Sequence, residues 1–150
     1  GTISSGSYPL EIRKLYPDIV VSGEACPMWV PLVENYEYDS PGADYFVEKR
    51  IGNLLRKDPA IDTIILGCTH YPLLLNKILK YTPRNVRIVP QGEYVAYSLK
   101  DYLQRHTEIE TLCTQSGTCR FLTTESPDKF MESASIFLRQ HVEAERVVLE

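Results

Sequence analysis

The run Ile64-Ile65-Leu66-Gly67-Cys68-Thr69-His70-Tyr71-Pro72-Leu73-Leu74 joins two hydrophobic patterns. An apolar stretch ends at a glycine, and a thiol, a hydroxyl and an imidazole follow at once. An apolar pattern of helical spacing then begins. This reads as a buried strand carrying reactive groups to its carboxyl end, where open α/β folds place their sites.

Working outward, strands and helices alternate. Residues 1–5 read as a short strand, and Ser7 to Tyr16 as a helix stopped before Pro17. Asp18 to Val21 is a compact β-branched run, a second strand. Ala25 to Val33 reads as a turn running into a short helix. Pro41 to Lys57 is the strongest helix, with Ala43, Phe46, Val47, Ile51, Leu54 and Leu55 on one stripe, ended by Asp58-Pro59. Ile61 to Leu66 is the buried strand. Tyr71, Leu74, Leu75, Ile78 and Leu79 repeat the helical stripe, with Pro72 in the first turn, where its lack of an N–H costs nothing. Val86 to Val89 is another strand. Glu93 to Gln104 is a helix with Val95, Leu99, Tyr102 and Leu103 inward.

A polar loop is expected over 105–119, then a strand from Arg120 to Thr124. Ser126-Pro127-Asp128 is a strong helix start, with a hydroxyl cap, a first-turn proline and a carboxylate at the positive helix end. That helix carries Phe130, Ala134, Phe137 and Leu138 on one face. Arg146 to Leu149 reads as a last strand. Such alternation predicts an α/β fold, a parallel sheet covered by helices on both faces. The expected organisation is a sheet unit over 1–104, a linker over 105–119 and a strand-helix-strand segment over 120–150. Three elements cannot bury both of their faces alone, so that segment packs on the first unit or on something outside the chain.

The totals are those of a globular protein: 150 residues, 43% hydrophobic, 24% charged. A formal net charge of −4 argues against a surface that tracks phosphates, so nucleic acid is not an expected partner. A local site for a small anion can still oppose the global charge. No apolar run approaches the roughly 20 residues that span a bilayer, and no signal-peptide pattern opens the chain. The expected location is cytoplasmic, without a membrane partner. Gly1 in place of methionine reads as a cut through a longer chain, or equally as a processed or tag-derived end. Of the four cysteines, Cys113 and Cys119 lie in a polar loop. The four lack the CxxC spacing or clustered histidines of a zinc site, so no metal is expected.

A thiol between a strand and a helix lies near the positive helix end, which favours thiolate. A cysteine there is often a mere space filler. Cys68, however, lies beyond Gly67 and beside two polar residues. His70 can exchange a proton with it or order a carboxylate, and Thr69 adds a hydroxyl and an N–H. Two chemistries suit the group: nucleophilic attack on an acyl carbon, and proton transfer at carbon by a cysteine acid or base. The first lacks an evident third group to orient His70.

The Gly67-to-Leu74 segment resembles the second active-site motif of glutamate racemases. Gly1-Thr2-Ile3-Ser4-Ser5-Gly6-Ser7-Tyr8 resembles the segment that opens that family's second lobe. Ala25-Cys26-Pro27-Met28-Trp29-Val30-Pro31-Leu32-Val33-Glu34 resembles its ACPLFVPLVE stretch, and Phe121-Leu122-Thr123-Thr124 its closing element. The four occur in the family's order along essentially the whole chain. The resemblance implies one lobe of a two-lobed racemase fold, plus a C-terminal segment that normally packs on the other lobe. It implies cofactor-independent interconversion of L- and D-glutamate for peptidoglycan, by two cysteines on opposite faces of the α-carbon. In that light Cys68 is one of the two, His70 assists it, and Thr69 and the His70 backbone contact substrate. Thr2 lines the pocket and Glu34 stands near the cysteine and histidine. The family often forms homodimers.

The family's first lobe, with its DSGxGG and ACNTA segments and its first cysteine, has no counterpart here. Cys26, Cys113 and Cys119 lie in other contexts. Pro90-Gln91-Gly92 stands where the family commonly has an acidic turn. The chain alone is therefore expected to be inactive, with the first lobe as its partner and glutamate as substrate. Two alternatives stay open: an aspartate or hydantoin racemase of the same superfamily, and a small α/β binding module without chemistry. His70-Tyr71-Pro72 favours glutamate.

Overall fold

The computed structural model describes residues 1–149. It divides into two compact units, Gly1–Leu99 and a second that begins at Lys100.

The first unit is organised around α4, Pro41–Lys57. Ser40 caps it, its hydroxyl accepting from the Ala43 N–H at 3.2 Å, and Pro41 fills the first turn. Ala43, Val47 and Ile51 of the expected stripe are buried. Before α4 come α1 (Thr2–Ser5), α2 (Ser7–Leu15) and α3 (Trp29–Glu34). After it come β1 (Thr63–Leu66), a 3-10 turn at Tyr71–Leu74, α5 (Leu75–Tyr81) and β2 (Arg87–Pro90). β1 and β2 pair in parallel, Thr63 opposite Arg87 through Leu66 opposite Pro90. In β1, Ile64 and Leu66 turn inward while Thr63 and Ile65 are exposed. Val33, Val47, Leu74 and Ile78 are fully buried and join α3, α4 and α5 into one core. An ion cluster ties α4 to α5: Asp44 accepts from Lys77 at 2.6 Å, Lys80 at 2.8 Å and the Tyr81 hydroxyl at 2.7 Å.

α6, Gln91–Arg105, runs across the division at Leu99. In the second unit follow α7 (Thr107–Glu110), β3 (Phe121–Thr123), α8 (Pro127–Leu138) and β4 (Ala144–Arg146). β3 and β4 are parallel, Phe121 opposite Ala144. Strand-helix-strand is the expected order. Val142 is buried beside it, its N–H bonded to the Ser135 hydroxyl at 3.1 Å.

The α/β class with parallel pairing is the expected one, and the local differences have physical reasons. Residues 1–5 form a helical turn rather than a strand. The Ser5 N–H donates to the Gly1 carbonyl at 3.0 Å and the Ser5 hydroxyl to the Thr2 carbonyl at 3.0 Å. Gly6, at φ 65°, ends the turn in a conformation glycine adopts without strain. Asp18–Val21 is not a strand either. A strand exists through its ladder, and none is formed there; Val20 is 76% exposed. The 3-10 turn takes the first four positions of the expected helix after His70, and Leu79 leaves the stripe, exposed. α6 buries none of its residues, so Val95, Leu99 and Tyr102 face outward against expectation. The stretch expected as a pure loop carries α7. Leu138 of the α8 face is exposed. The last strand lies at Ala144–Arg146, ahead of the expected Arg146–Leu149.

Candidate active site

β1 ends at Leu66, and the chain turns at once. The Tyr71 N–H donates to the Cys68 carbonyl at 3.2 Å, and the Leu73 N–H to the His70 carbonyl at 3.1 Å. These bonds close a tight turn that carries Cys68, Thr69 and His70 at the carboxyl end of the strand. The His70 ring lies between two groups. Its Nδ1 is 3.8 Å from the Cys68 sulfur and 3.4 Å from the Thr69 hydroxyl. Its Nε2 is 3.5 Å from a Glu34 carboxylate oxygen. Cys68 and His70 are half-buried, and Glu34 is exposed.

Glu34 owes its place to α3. Trp29, at the start of that helix, is 2% exposed and donates its indole N–H to the Phe46 carbonyl of α4 at 3.3 Å. At the other end the Tyr36 N–H bonds the Val33 carbonyl and the Glu37 N–H the Leu32 carbonyl. This is the paired cap that normally uses glycine. Tyr36 takes it at φ 59°, a conformation that costs a residue with a Cβ about 1–2 kcal/mol. The helix thus stops sharply just after Glu34. Glu34 is thus a third group beside Cys68 and His70, absent from the local stretch, 3.5 Å from the imidazole.

Two supports flank the turn from elsewhere. Gln91, opening α6, donates from Nε2 to the Leu66 carbonyl at 3.0 Å and to the Tyr8 hydroxyl. The Tyr8 ring lies 3.5 Å from the point where a Cβ on Gly67 would sit. Sequence reasoning gave Gln91 no role. Its only local signal is its place at the end of the strand paired to β1. Thr2 is exposed in α1, and among the described residues no hydrogen bond joins it to Cys68 or His70.

Behind the turn lies Cys26, half-buried, its thiol directed to the Glu24 carbonyl at 3.7 Å and beside the Tyr71 phenol. Burial, and then the Glu24 carboxylate, push the Cys26 thiol up to about 12, against the opposing pull of Arg50, Tyr71 and Lys57. Burial, with the Cys26 and Cys68 sulfurs nearby, pushes the Tyr71 phenol up to about 12 as well. Both groups are neutral at physiological pH. Among the described residues, no group of three or more metal-ligating side chains is clustered. No helix is long and apolar enough to cross a membrane.

No family model matches the chain. Curated proteins do. The glutamate racemase of Thermoanaerobacter pseudethanolicus is 36% identical over 142 residues, 95% of this chain and 52% of that protein. That of Streptococcus pyogenes serotype M1 is 35% identical over 148 residues, 99% of this chain and 55% of that protein. Among solved structures, a glutamate racemase isoform of Bacillus anthracis superposes with TM-score 0.86 at 31% identity, over 99% of this chain and 54% of its own. Glutamate racemase from Francisella tularensis in complex with D-glutamate gives TM-score 0.84 at 27% identity, over 99% of this chain and 55% of its own. The chain spans about half the length of the curated relatives it matches. In sequence and in fold, it corresponds along nearly its whole length to one half of a glutamate racemase.

Proposed function

We propose that this chain is the half of a glutamate racemase that supplies one of two proton-transferring cysteines, Cys68. The observation that carries this reading is the row Cys68, His70, Glu34, with the imidazole 3.8 Å from the sulfur and 3.5 Å from the carboxylate. An imidazolium held on Glu34 stabilises a Cys68 thiolate. That thiolate takes the α-proton of one enantiomer. In the reverse direction the Cys68 thiol, re-protonated through His70, gives its proton to the α-carbon. Thr69 and the His70 backbone are assigned to the substrate carboxylate, and Thr2 to the pocket on resemblance alone. The chemistry needs no cofactor.

Inversion needs an acid on the face opposite the base. Cys26 is a poor candidate, because burial and then the Glu24 carboxylate hold its thiol neutral. The second cysteine comes from a first lobe that completes the pocket, and the chain alone does not racemise. The assembled enzyme is cytoplasmic, makes D-glutamate for peptidoglycan and forms a homodimer. The division of labour proposed for the chain is a catalytic lobe over 1–104, a linker over 105–119 and a segment over 120–150 that packs on the first lobe.

The test is the optical rotation of L- and D-glutamate, and of aspartate, incubated with the two-lobed protein. Glutamate should invert in both directions and aspartate should not. Inversion of aspartate in place of glutamate would move the protein to another branch of the superfamily. Inversion by this chain alone would overturn the two-lobe requirement.

A further inference from the structure

Tyr71 has no part in the proton transfer, yet it is held by its backbone, its ring and its surroundings. Its N–H closes the turn on the Cys68 carbonyl at 3.2 Å. Its ring meets Trp29 edge-on, with centroids 4.8 Å apart and planes at 70°. Its phenol lies beside the Cys26 thiol. Each of these neighbours is itself anchored. Trp29 is pinned to α4 by its indole N–H. The Cys26 carbonyl accepts from the Trp29 N–H at 3.1 Å, and its thiol points to the Glu24 carbonyl at 3.7 Å. Glu24 in turn is fixed to α4 by Arg50 at 3.0 Å, Asn53 at 3.3 Å and Lys57 at 2.6 Å. A continuous set of contacts therefore runs from α4 to the turn that carries Cys68.

α3 touches this turn at both ends, with Trp29 on Tyr71 and Glu34 on His70. The Trp29–Tyr71 contact thus sets the spacing between helix and turn, and with it the reach from His70 to Glu34. The sulfur–nitrogen distance of 3.8 Å leaves little slack before the hydrogen bond is lost. A shift of about 1 Å in such a pair can cost on the order of a hundredfold in rate.

We propose that Tyr71 is a positioning residue: clamped between Trp29 and the Cys26 thiol, it keeps the His70 imidazole within reach of Cys68 and Glu34 together. The proposal rests on the reading of Cys68 and His70 as a proton-transfer pair. A bulky apolar residue that only filled the space would support the fold without fixing the turn.

The test is the pH profile of Cys68 alkylation by iodoacetamide in the intact chain, read peptide by peptide by mass spectrometry. The His70 titration is followed alongside by NMR. His70→Gln should slow Cys68 alkylation, as loss of the proton partner 3.8 Å from the sulfur does. Tyr71→Leu should slow it in the same way and change the His70 profile from that of the parent, while the His141 profile stays put. Tyr71→Phe keeps the ring on Trp29 and should restore part of the rate. A folded Tyr71→Leu chain with unchanged Cys68 and His70 titrations would overturn the proposal. Should that variant not fold, Trp29→Phe and Cys26→Ala loosen the clamp from outside. A shift in either supports the proposal, and unchanged profiles in both defeat it. An unchanged Cys68 profile in His70→Gln would defeat the proton-pair reading instead.

Discussion

Cys26 and Cys68 both border Tyr71, but their surroundings differ. Cys26 is bonded to a carbonyl and lies beside a phenol in desolvated surroundings, whereas Cys68 faces an imidazole backed by a carboxylate. With its thiol at about 12, Cys26 carries almost no thiolate near neutrality. At pH 8 its alkylation should be about a thousandfold slower than that of an ordinary cysteine. The exposed Cys113 and Cys119 serve as references in the same peptide map. Alkylation of Cys26 at the rate of those two would contradict its burial. At this scale the sequence is legible where partners are neighbours: Cys68, Thr69 and His70 lie on one turn and were readable as a group. Glu34 lies far along the chain from His70, and residue spacing alone does not bring them together. Gln91 and Tyr8 are 83 positions apart, and only the folded chain joins them. Thr2, expected within a strand over residues 1–5, sits in an exposed helical turn instead.

One helix, α4, is legible to the residue from its own signals. α4 has a serine cap, a first-turn proline and an apolar stripe, and begins and ends where those signals lie. Strands were less legible because a ladder is a property of two segments. β1 and β2 formed where expected within a residue or two, while residues 1–5 and 18–21 have no strand. α5 is the element whose packing is most testable. Ile78 is fully buried beneath α4, and Ile78→Ala should destabilise the chain by about 2–5 kcal/mol, read from the urea midpoint. Acid should loosen the link between the Cys26 loop and α4. Burial raises the Glu24 carboxyl, but hydrogen bonds from Lys57, Arg50 and Asn53 outweigh it and hold the group below its ordinary value. A carboxyl depressed in the fold contributes stability above its unfolded pKa, and loses it as pH falls through the folded value. Glu24→Gln should therefore lower Tm at pH 7 and flatten its fall below about pH 4.5. Parallel Tm curves for variant and parent down to pH 3 would contradict this.

At the scale of the whole molecule, the chain is similar in sequence and fold to about half the length of glutamate racemases, and it exposes apolar side chains. Leu10 and Leu15 of α2 and Val95 and Leu99 of α6 are each more than half exposed, and neither helix buries a residue. The inward face expected for α6 was legible as an amphipathic stripe, but the sequence of one half does not say what covers it. On the reading proposed here, a second lobe closes the pocket over Cys68 and brings the opposing acid. The most direct measurement is deuterium wash-in at the α-carbon of L- and D-glutamate in heavy water. The sample is this chain mixed with the complementary lobe, and Cys68→Ala is the comparison. The account predicts exchange and inversion that need both lobes, with inversion abolished by Cys68→Ala. Undiminished inversion in the Cys68→Ala sample would contradict it.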